Sequence, residues 1–458
     1  MRVLETVRVA SYDQTVSFDE SDAIEITNAA PAFAEAIKQE IESRGGEANI
    51  VSKPQSAGTC LLTEGLTEER QAKRHHDVLK AILSAHEGVH VVALDRTSAR
   101  SLSAIGGVSG LCRSLRIERP EIRVSASSLK ISGNIQDEAS RIAMSLILSE
   151  GTYTLSNDGI YQDVPGEIVL APSTASVVPE SPVWLITGGG RGVTADCAIE
   201  LAKRTGGSFI LLGRSDLVAW PAWLERETDL KALRGALAKN SGRADAPKTP
   251  VEIDRFARIL LAGAEIVSTL KAIESGGAKA RYVQADIGDQ ASLRTTLSRL
   301  INEEGPVTGL VHGAGVLSDG FAEALGLENF EKVFSPKVTG LETILSCIKP
   351  SALRYIGLFS SASAVFGNEG QSNYAAANEW LNNVAVHLAG KIPDTQVKAF
   401  CWGPWQGGMV DESLARMFTE RGIGLISKQE GARIFADQLL NSSHDQVRFV
   451  VGDEWGSA

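Results

Sequence analysis

A cluster of glycines between a short apolar run and a helix-like segment is the feature that most restricts how this chain can fold. Residues 187–194 read TGGGRGVT, directly after the apolar run 183–186 and at the start of a helix-like stretch over 194–203. Glycines at this position let the backbone turn tightly and approach a pyrophosphate, whose charge the free amides of a helix N-terminus stabilise. The cluster therefore predicts a dinucleotide-binding β-α unit rather than a plain tight turn.

Other strand-like runs alternate with helical segments along the chain. In the C-terminal half they cover 209–212, 282–283, 310–311, 356–359 and 397–400, and in the N-terminal half 89–94 and 122–125. Such alternation predicts β-α-β units and a parallel sheet covered by helices on both faces. Gly106, Gly107 and Gly110 do not open a helix directly after a strand, so we expect close helix packing there. We predict an α/β fold of two Rossmann-like, doubly wound parallel-sheet subdomains, the second carrying the cofactor site.

A segment rich in proline and serine divides the two subdomains. Residues 171–182 read APSTASVVPESP and have no helical period. We therefore assign 1–178 to a truncated, structural Rossmann-like subdomain that binds no cofactor, and 179–458 to the catalytic subdomain. Within the latter, 216–280 is far longer than an ordinary β-α connection. Its apolar residues recur at helical spacing up to Gly276-Gly277, so we predict a helical insertion packed on the rim of the sheet.

Composition argues against several classes of protein. With 45 Lys and Arg against 56 Asp and Glu, the net charge of −11 is unsuited to general binding of nucleic acids or membrane surfaces. We find no apolar stretch of membrane-spanning length and no signal peptide, and expect a cytoplasmic protein. The five cysteines are far apart and form no C-x-x-C pair, so neither a disulfide framework nor a zinc site is expected. His75-His76-Asp77 lies in a polar run that is typical of a solvated helix face rather than of a metal site.

The end of the second strand indicates which dinucleotide binds. Gly213-Arg214-Ser215 stands where an NAD site usually has an acidic residue for the ribose hydroxyls. Together with Arg191 in the glycine loop, Arg214 supplies a second guanidinium that can grip a 2′-phosphate, which favours NADPH. The alternative for Arg214 is a surface salt bridge. After the third strand, Asp286 fits a carboxylate that hydrogen-bonds the adenine amine.

Four polar residues form a candidate reaction centre. Tyr374 and Asn378 share one helix face at i, i+4, and Ser361 ends a strand at the edge where open α/β sheets bind ligands. Lys337 lies in another helix-like segment. A phenol with a pKa of about 10 is a poor acid at neutral pH, so a nearby ammonium is useful to lower that pKa. Serine can hydrogen-bond a substrate carbonyl, and asparagine can hold a lysine or a relay water, although each residue alone is more often structural.

In combination these segments resemble the ketoreductase domain of polyketide and fatty acid synthases, in the short-chain dehydrogenase superfamily. The resemblance is carried by TGGGRGVT, HGAGV over 312–316, Lys337, FSSASAVFGNEGQSNYAAAN over 359–378, and CWGPW. It implies that Tyr374 donates the proton, that Ser361 orients the carbonyl, and that Lys337 with Asn378 completes a tetrad. Ordinary short-chain dehydrogenases carry Y-x-x-x-K, so Asn378 with a distant Lys337 marks the synthase branch. The N-terminal half, around GLCRSLRIERPEIRV, is more loosely similar to the structural subdomain that precedes such ketoreductases.

The resemblance also implies details of the cofactor site and of the subtype. The predicted cofactor-binding residues are Thr187, Gly188, Gly189, Gly190, Arg191, Gly192, Val193, Arg214, Ser215, Asp286, Ile287, Gly313, Ala314 and Gly315. The insertion is similar to that of ketoreductases of the polyunsaturated fatty acid synthase type. Residues 317–319 keep only the end of the Leu-Asp-Asp motif of B-type enzymes, and Phe366 stands where A-type enzymes carry tryptophan. We therefore expect a B-type enzyme with a D-hydroxyl product.

By the same resemblance, the substrate is a 3-oxoacyl group that phosphopantetheine carries on an acyl carrier protein, and the partners are this carrier and other synthase domains. The chain shows no carrier motif and no ketosynthase cysteine context, so we interpret it as an excised domain or a discrete reductase. Residues 407–410 and the helical segment 411–421 resemble a hinge and lid. We expect a monomer, because a second Rossmann-like half can substitute for self-association. The alternatives are a reductase of a free small-molecule ketone and a reductase-inactive scaffold of a synthase.

Overall fold

A single sheet of 15 strands runs through the part of the chain that the computed structural model describes. The described residues are 1–12, 16–18, 23–55, 58–130, 132–168, 178–407, 416, 418–420 and 422–453. The strands are β1 (Arg2–Ala10), β2 (Ala23–Thr27), β3 (Glu47–Val51), β4 (Thr59–Leu62), β5 (His90–Arg96), β6 (Arg123–Leu129), β7 (Thr152–Leu155), β8 (Ile160–Glu167), β9 (Val183–Thr187), β10 (Ser208–Gly213), β11 (Lys279–Gln284), β12 (Gly309–His312), β13 (Tyr355–Ser361), β14 (Gln396–Trp402) and β15 (Arg448–Val451).

Helices connect and cover these strands. They are α1 (Pro31–Ser43), α2 (Gln71–Leu83), α3 (Val108–Glu118), α4 (Ile135–Ser145), α5 (Gly192–Thr205), α6 (Leu230–Lys239), α7 (Pro250–Ser275), α8 (Gln290–Glu304), α9 (Leu327–Phe334), α10 (Gly340–Cys347), α11 (Ala362–Phe366), α12 (Ser372–Lys391) and α13 (Lys428–Asn441). A π-helical turn, Ser335–Thr339, joins α9 to α10. None of the helices in the described ranges has the length and apolar character needed to cross a membrane.

The sheet consists of two parallel blocks joined by an antiparallel pair. The C-terminal block has the order β11-β10-β9-β12-β13-β14-β15, and the N-terminal block the order β7-β6-β5-β4-β2-β3. Between them lie β1 and β8, which are antiparallel to each other and to the neighbouring blocks. The predicted doubly wound α/β fold is confirmed. In the C-terminal block the strand order reverses between β9 and β12, the switch point at which open α/β sheets bind ligands.

The strand-like runs of the sequence correspond to β5, β6 and β9 to β14, with ends shifted by a few residues. The other strands, β1 to β4, β7, β8 and β15, were not predicted, and they include the pair β1 and β8 that joins the two blocks. Most of the predicted linker, 171–182, lies outside the described residues. The assignment of 1–178 and 179–458 to separate subdomains therefore stays a prediction. The predicted boundary falls between the strands of the two parallel blocks.

The predicted insertion is a pair of helices, α6 and α7, with an apolar cluster of its own. Six buried side chains form this cluster: Leu224, Leu233, Leu237, Ile253, Ala257 and Leu260. A capping box between Thr249 and Glu252 begins α7, and Gly276 caps its end. The helix packs on the edge strand β11 and on α5, as a rim position requires. The insertion ends earlier than predicted, because β11 already begins at Lys279.

Helices of the N-terminal half pack directly on helices of the C-terminal half, α3 on α12 and α2 on α9. Gly107 and Gly110 allow this approach, since a Cβ at either position would clash with a backbone carbonyl of α12. The packing also corrects one prediction. His75 lies on no solvated face but is fully buried, with Nδ1 bonded to the Gln71 carbonyl and Nε2 accepting from Gly107 N.

Candidate active site

A cleft of about 1210 Å³ opens at the carboxyl ends of β9, β10, β12 and β13. The glycine loop lines one part of it, and Lys337, Ser361 and Tyr374 line another. Because parallel strands end at the same edge of a sheet, residues far apart in sequence meet in this cleft. Of the predicted tetrad, only Asn378 does not line it.

The glycine loop has the geometry of a phosphate cradle. Gly188 and Gly192 have φ values of +71° and +64°, in the left-handed region that glycine adopts without strain. A Cβ at Gly190 would lie 3.0 Å from the Tyr282 ring. The first turn of α5 leaves amides without helical partners, and Val193 of this turn lines the cleft. These features fit a dinucleotide pyrophosphate.

Two members of the predicted cofactor set have other positions. Gly189 faces the core, where a Cβ would lie 2.5 Å from the Ile186 side chain. Thr187 is buried, and its Oγ accepts a hydrogen bond from Ala314 N at 3.2 Å. Thr187 therefore ties the glycine loop to the loop after β12. The remaining members line the cleft: Gly188, Gly190, Arg191, Gly192, Val193, Arg214, Ser215, Asp286, Ile287, Gly313, Ala314 and Gly315.

The insertion helix contributes a residue that the sequence did not indicate. Glu265 of α7 lines the cleft and accepts a hydrogen bond from Gly192 N at 2.9 Å. This carboxylate therefore accepts the hydrogen bond of one of the free amides at the N-terminus of α5, where the helix dipole stabilises negative charge. The insertion, predicted only as rim packing, reaches the cofactor loop itself.

Two basic side chains face the cleft near the end of β10. Arg191 and Arg214 both line it together with Ser215, and neither guanidinium forms an ion pair within the described part of the chain. Asp286 also lines the cleft, with Oδ1 accepting a hydrogen bond from Gly288 N at 2.9 Å. This end of the cleft is suited to an anionic group.

Lys337 lies in the π-helical turn between α9 and α10, a type of distortion common at functional sites. Its Nζ donates to the Phe359 carbonyl at 2.9 Å. Burial lowers the pKa of Lys337 to about 7, because a low-dielectric environment disfavours the charged form. The ammonium therefore titrates near neutral pH.

His312 connects Lys337 to the glycine loop, a role that its place in the HGAGV segment did not indicate. Its Nε2 lies 3.0 Å from the Lys337 carbonyl and its Nδ1 lies 3.0 Å from Thr187 Oγ. Since a carbonyl only accepts, Nε2 carries the proton and Nδ1 accepts from the threonine hydroxyl. Burial lowers the pKa of His312 to about 3, so the ring is neutral.

Tyr374 lies in the first turn of α12, and Lys337 Nζ is 5.4 Å from the centre of its ring. Burial, aided by the negative charge of Asp319, raises the pKa of Tyr374 to about 12. The expectation that an ammonium lowers this pKa is therefore wrong for this structure, because desolvation dominates. The phenol is protonated at neutral pH.

Ser361 and Asn378 complete the arrangement from two sides. Ser361 Oγ accepts hydrogen bonds from Ser363 N at 3.2 Å and from Ser363 Oγ at 2.9 Å, so its own proton is available to the cleft. Asn378 lies behind Tyr374 and donates through Nδ2 to the Tyr374 carbonyl at 2.8 Å. Its Oδ1 is buried and has no hydrogen-bond partner among the described residues. Lys337 Nζ bonds to the Phe359 carbonyl and not to this oxygen, so the expected contact of Asn378 with a lysine or a water stays a prediction.

Two loops line the cleft next to Tyr374. One contributes Leu317 and Asp319, and the other contributes Asn368 and Gln371. Phe366 does not line the cleft but packs on the buried cluster Leu4, Cys401 and Val450. Of the predicted hinge and lid, 408–415, 417 and 421 lie outside the described residues.

Comparisons with known proteins agree with this geometry. A family model described as the KR domain matches residues 182–407. One polyunsaturated fatty acid synthase polypeptide of a Thraustochytrium species is 31% identical over 366 residues, which are 77% of this chain and 13% of that protein. A polyketide synthase of Streptomyces halstedii is 35% identical over 170 residues, which are 36% of this chain and 4% of that protein. The chain thus spans a small part of these relatives.

The fold also matches solved structures. A structure described as an A-type ketoreductase from a modular polyketide synthase superposes with a TM-score of 0.71 at 19% identity. The match covers 98% of this chain and 92% of that one, so it includes both parallel blocks of the sheet.

Proposed function

Residues 182–407 belong to the KR domain family, the ketoreductases of polyketide and fatty acid synthases, and we propose that this chain uses NADPH to reduce a 3-oxoacyl thioester to the 3-hydroxyacyl thioester. One observation carries the proposal: Lys337, Ser361 and Tyr374 line the same cleft as the glycine loop. A dinucleotide and a carbonyl can therefore meet in one place.

Each residue of the proposed tetrad has a distinct task. Bound NADPH would supply the hydride that reaches the keto carbon. The Tyr374 phenol gives its proton to the keto oxygen, while the free hydroxyl proton of Ser361 stabilises the negative charge that develops there. Lys337 replaces the proton that Tyr374 loses, and the free Oδ1 of Asn378 holds the lysine or a water in reach. Hydride and proton together convert the ketone to an alcohol.

The preference for NADPH over NADH rests on charge. Arg191 and Arg214 can bind a 2′-phosphate bidentately, and Arg214 directly follows β10, where an NAD site usually has an acidic residue for the ribose hydroxyls. Asp286 then hydrogen-bonds the adenine amine.

The proposed substrate carrier is an acyl carrier protein bearing a phosphopantetheine-linked chain, and the further partners are other domains of a synthase. The multidomain relatives support this. NADPH oxidation should be measured with the same 3-oxoacyl group on a carrier protein, on pantetheine and as a free ketone. We expect the carrier-bound substrate to be used best. Equal use of the free ketone would favour the small-molecule reductase, and absence of both NADPH binding and turnover would favour the scaffold.

Two finer features belong to the same proposal. We expect a D-hydroxyl product, since Asp319 of the partial B-type motif faces the cleft while Phe366 does not. Chiral chromatography of the product tests this. We expect a monomer, because α3 and α2 already cover α12 and α9, and light scattering would then give the chain mass of 48.7 kDa.

A further inference from the structure

One carboxylate of the N-terminal half bonds to both loops that line the cleft next to Tyr374. Glu118, the last residue of α3, accepts from Gly370 N through Oε2 at 3.1 Å and from Ala322 N through Oε1. Gly370 belongs to the loop before α12, and Ala322 ends the loop that follows β12. A single side chain outside the catalytic half thus bridges the two loops.

The bridged loops also bond to each other at the cleft. Gly320 N donates to the Gly370 carbonyl at 2.9 Å, and Gln371 Nε2 donates to Asp319 Oδ2 at 2.8 Å. Asp319 is close enough to help raise the pKa of Tyr374. The separation of these loops therefore sets the shape of the cleft beside the proton donor.

Glu118 has a position that the helix itself does not favour. A carboxylate at a helix C-terminus interacts unfavourably with the helix dipole. Two backbone amides compensate for this, and hydrogen bonds to a charged acceptor are the strong ones. A carboxylate that is unfavourable for its own helix but bonds to two distant loop amides indicates a role in holding those loops.

Neighbouring contacts reinforce the same attachment. Arg119 forms an ion pair with Glu323, one residue after Ala322. Ser114 Oγ accepts from Asn368 N at 3.2 Å. The C-terminal part of α3 is therefore a support for both loops, and Glu118 is the member that joins them.

We propose that Glu118 is a positioning residue for product stereochemistry. The Glu118 carboxylate holds both loops at a fixed separation. The ketone then binds in one orientation, with one face toward the hydride and its oxygen toward Tyr374. This inference rests on the proposed function, because it requires a prochiral 3-oxoacyl substrate.

The variant Glu118→Gln tests the proposal. Glutamine has nearly the volume of glutamate but only one acceptor oxygen. Its NH₂ group would face the second loop amide, donor against donor, so that loop loses its hydrogen bond to residue 118. We expect the ratio of product enantiomers to fall about tenfold, the loss that one hydrogen bond of ordinary strength produces. NADPH affinity should stay unchanged. Hydrogen–deuterium exchange should rise in peptides covering 317–324 and 367–371. Glu118→Asp, which keeps both oxygens on a shorter stem, should lie between the wild type and Glu118→Gln.

The control is Glu87→Gln, an exposed substitution in the same half. A wild-type protein that binds no NADPH and reduces no 3-oxoacyl thioester would overturn the proposed function. A wild-type protein that turns over, with enantiomer ratio and loop exchange unchanged in both Glu118 variants, would overturn the present inference alone.

Discussion

Lys337 and Tyr374 meet in the cleft from two different helical segments, with the lysine Nζ 5.4 Å from the centre of the tyrosine ring. Burial moves both groups toward their neutral forms, lowering the pKa of Lys337 to about 7 and raising that of Tyr374 to about 12. At neutral pH a protonated phenol thus lies beside a lysine that readily gains and loses a proton. This arrangement is suited to a proton donor, Tyr374, that must be reprotonated after each turnover.

The lowered pKa of Lys337 predicts a pH-dependent stability. In the unfolded chain a lysine has a pKa of about 10.4. Between pH 7 and that value folding releases a proton, so this residue makes the protein more stable as the pH rises. Lys337→Met removes the effect. Urea unfolding at pH 7, 8 and 9 should show the stability of the variant, relative to wild type, declining as the pH increases. A difference that does not change with pH would contradict the lowered pKa.

Arg191 and Arg214, which form no ion pair with any residue that the structure describes, predict cofactor selectivity. Arg214→Ala should weaken NADPH binding about 10- to 100-fold, the effect of losing hydrogen bonds to a charged group, and should leave NADH binding nearly unchanged. Fluorescence titration without substrate measures both. Arg226→Ala is the control, since Arg226 stacks on Trp220 within the insertion. Equal losses for both dinucleotides would show that Arg214 does not contact a 2′-phosphate.

The hydrogen bond between Glu265 and Gly192 predicts that the insertion weakens cofactor binding. A pyrophosphate at the same loop would be repelled by this carboxylate. Glu265→Gln should therefore tighten NADPH binding about two- to fivefold, since a charge at a helix terminus contributes roughly 0.3–1 kcal/mol. High salt should reduce the difference. Glu274→Gln on the same helix is the control, and weaker binding by Glu265→Gln would show instead that Glu265 bonds to the cofactor.

The buried ion pair between β8 and β15 predicts a large contribution to stability. Arg448 contacts both oxygens of Asp163, at 2.5 and 2.8 Å, and the two side chains are only 6% and 11% exposed. Asp163→Asn leaves the buried guanidinium without its counter-charge, although Thr6 Oγ still accepts from it, and should cost about 3–5 kcal/mol of unfolding free energy at pH 7. The exposed Glu167→Gln on the same strand is the control in urea unfolding. A loss below about 1 kcal/mol, typical of a surface pair, would contradict the assigned role.

The same pair has a predictable acid response. Burial alone would raise the pKa of Asp163, but the charge and hydrogen bonds of Arg448 hold it below its usual range. Its stabilisation is therefore present at neutral pH and lost only as the pH falls below the ordinary pKa of aspartate.

Local patterns made the reaction centre predictable. A strand, a glycine turn and a helix are adjacent in sequence, so TGGGRGVT already implied the cradle. Tyr374 and Asn378 are one helical turn apart, so their common face needed no tertiary information. The roles of Lys337 and Ser361 were predicted from the resemblance to synthase ketoreductases. The parallel sheet then brings both residues to the same edge.

Contacts between distant segments could not be predicted in this way. Glu265 and Gly192 are 73 residues apart, and nothing near Glu265 indicates an anion site. Glu118 reads as an ordinary helix-end residue until α3 packs beside the cleft. The place of Phe366 is another example, because its position before Tyr374 does not show that its side chain packs toward β1 and β14 rather than into the cleft.

The most direct test of the account is NADPH consumption with a defined 3-oxoacyl thioester by wild type and Tyr374→Phe. The substitution removes one hydroxyl and leaves the ring beside Lys337, so NADPH affinity should be retained. We expect kcat to fall about 10²- to 10⁴-fold, the usual contribution of a positioned general acid. A Tyr374→Phe enzyme that keeps the wild-type rate would contradict the assignment of the proton donor and, with it, the proposed mechanism.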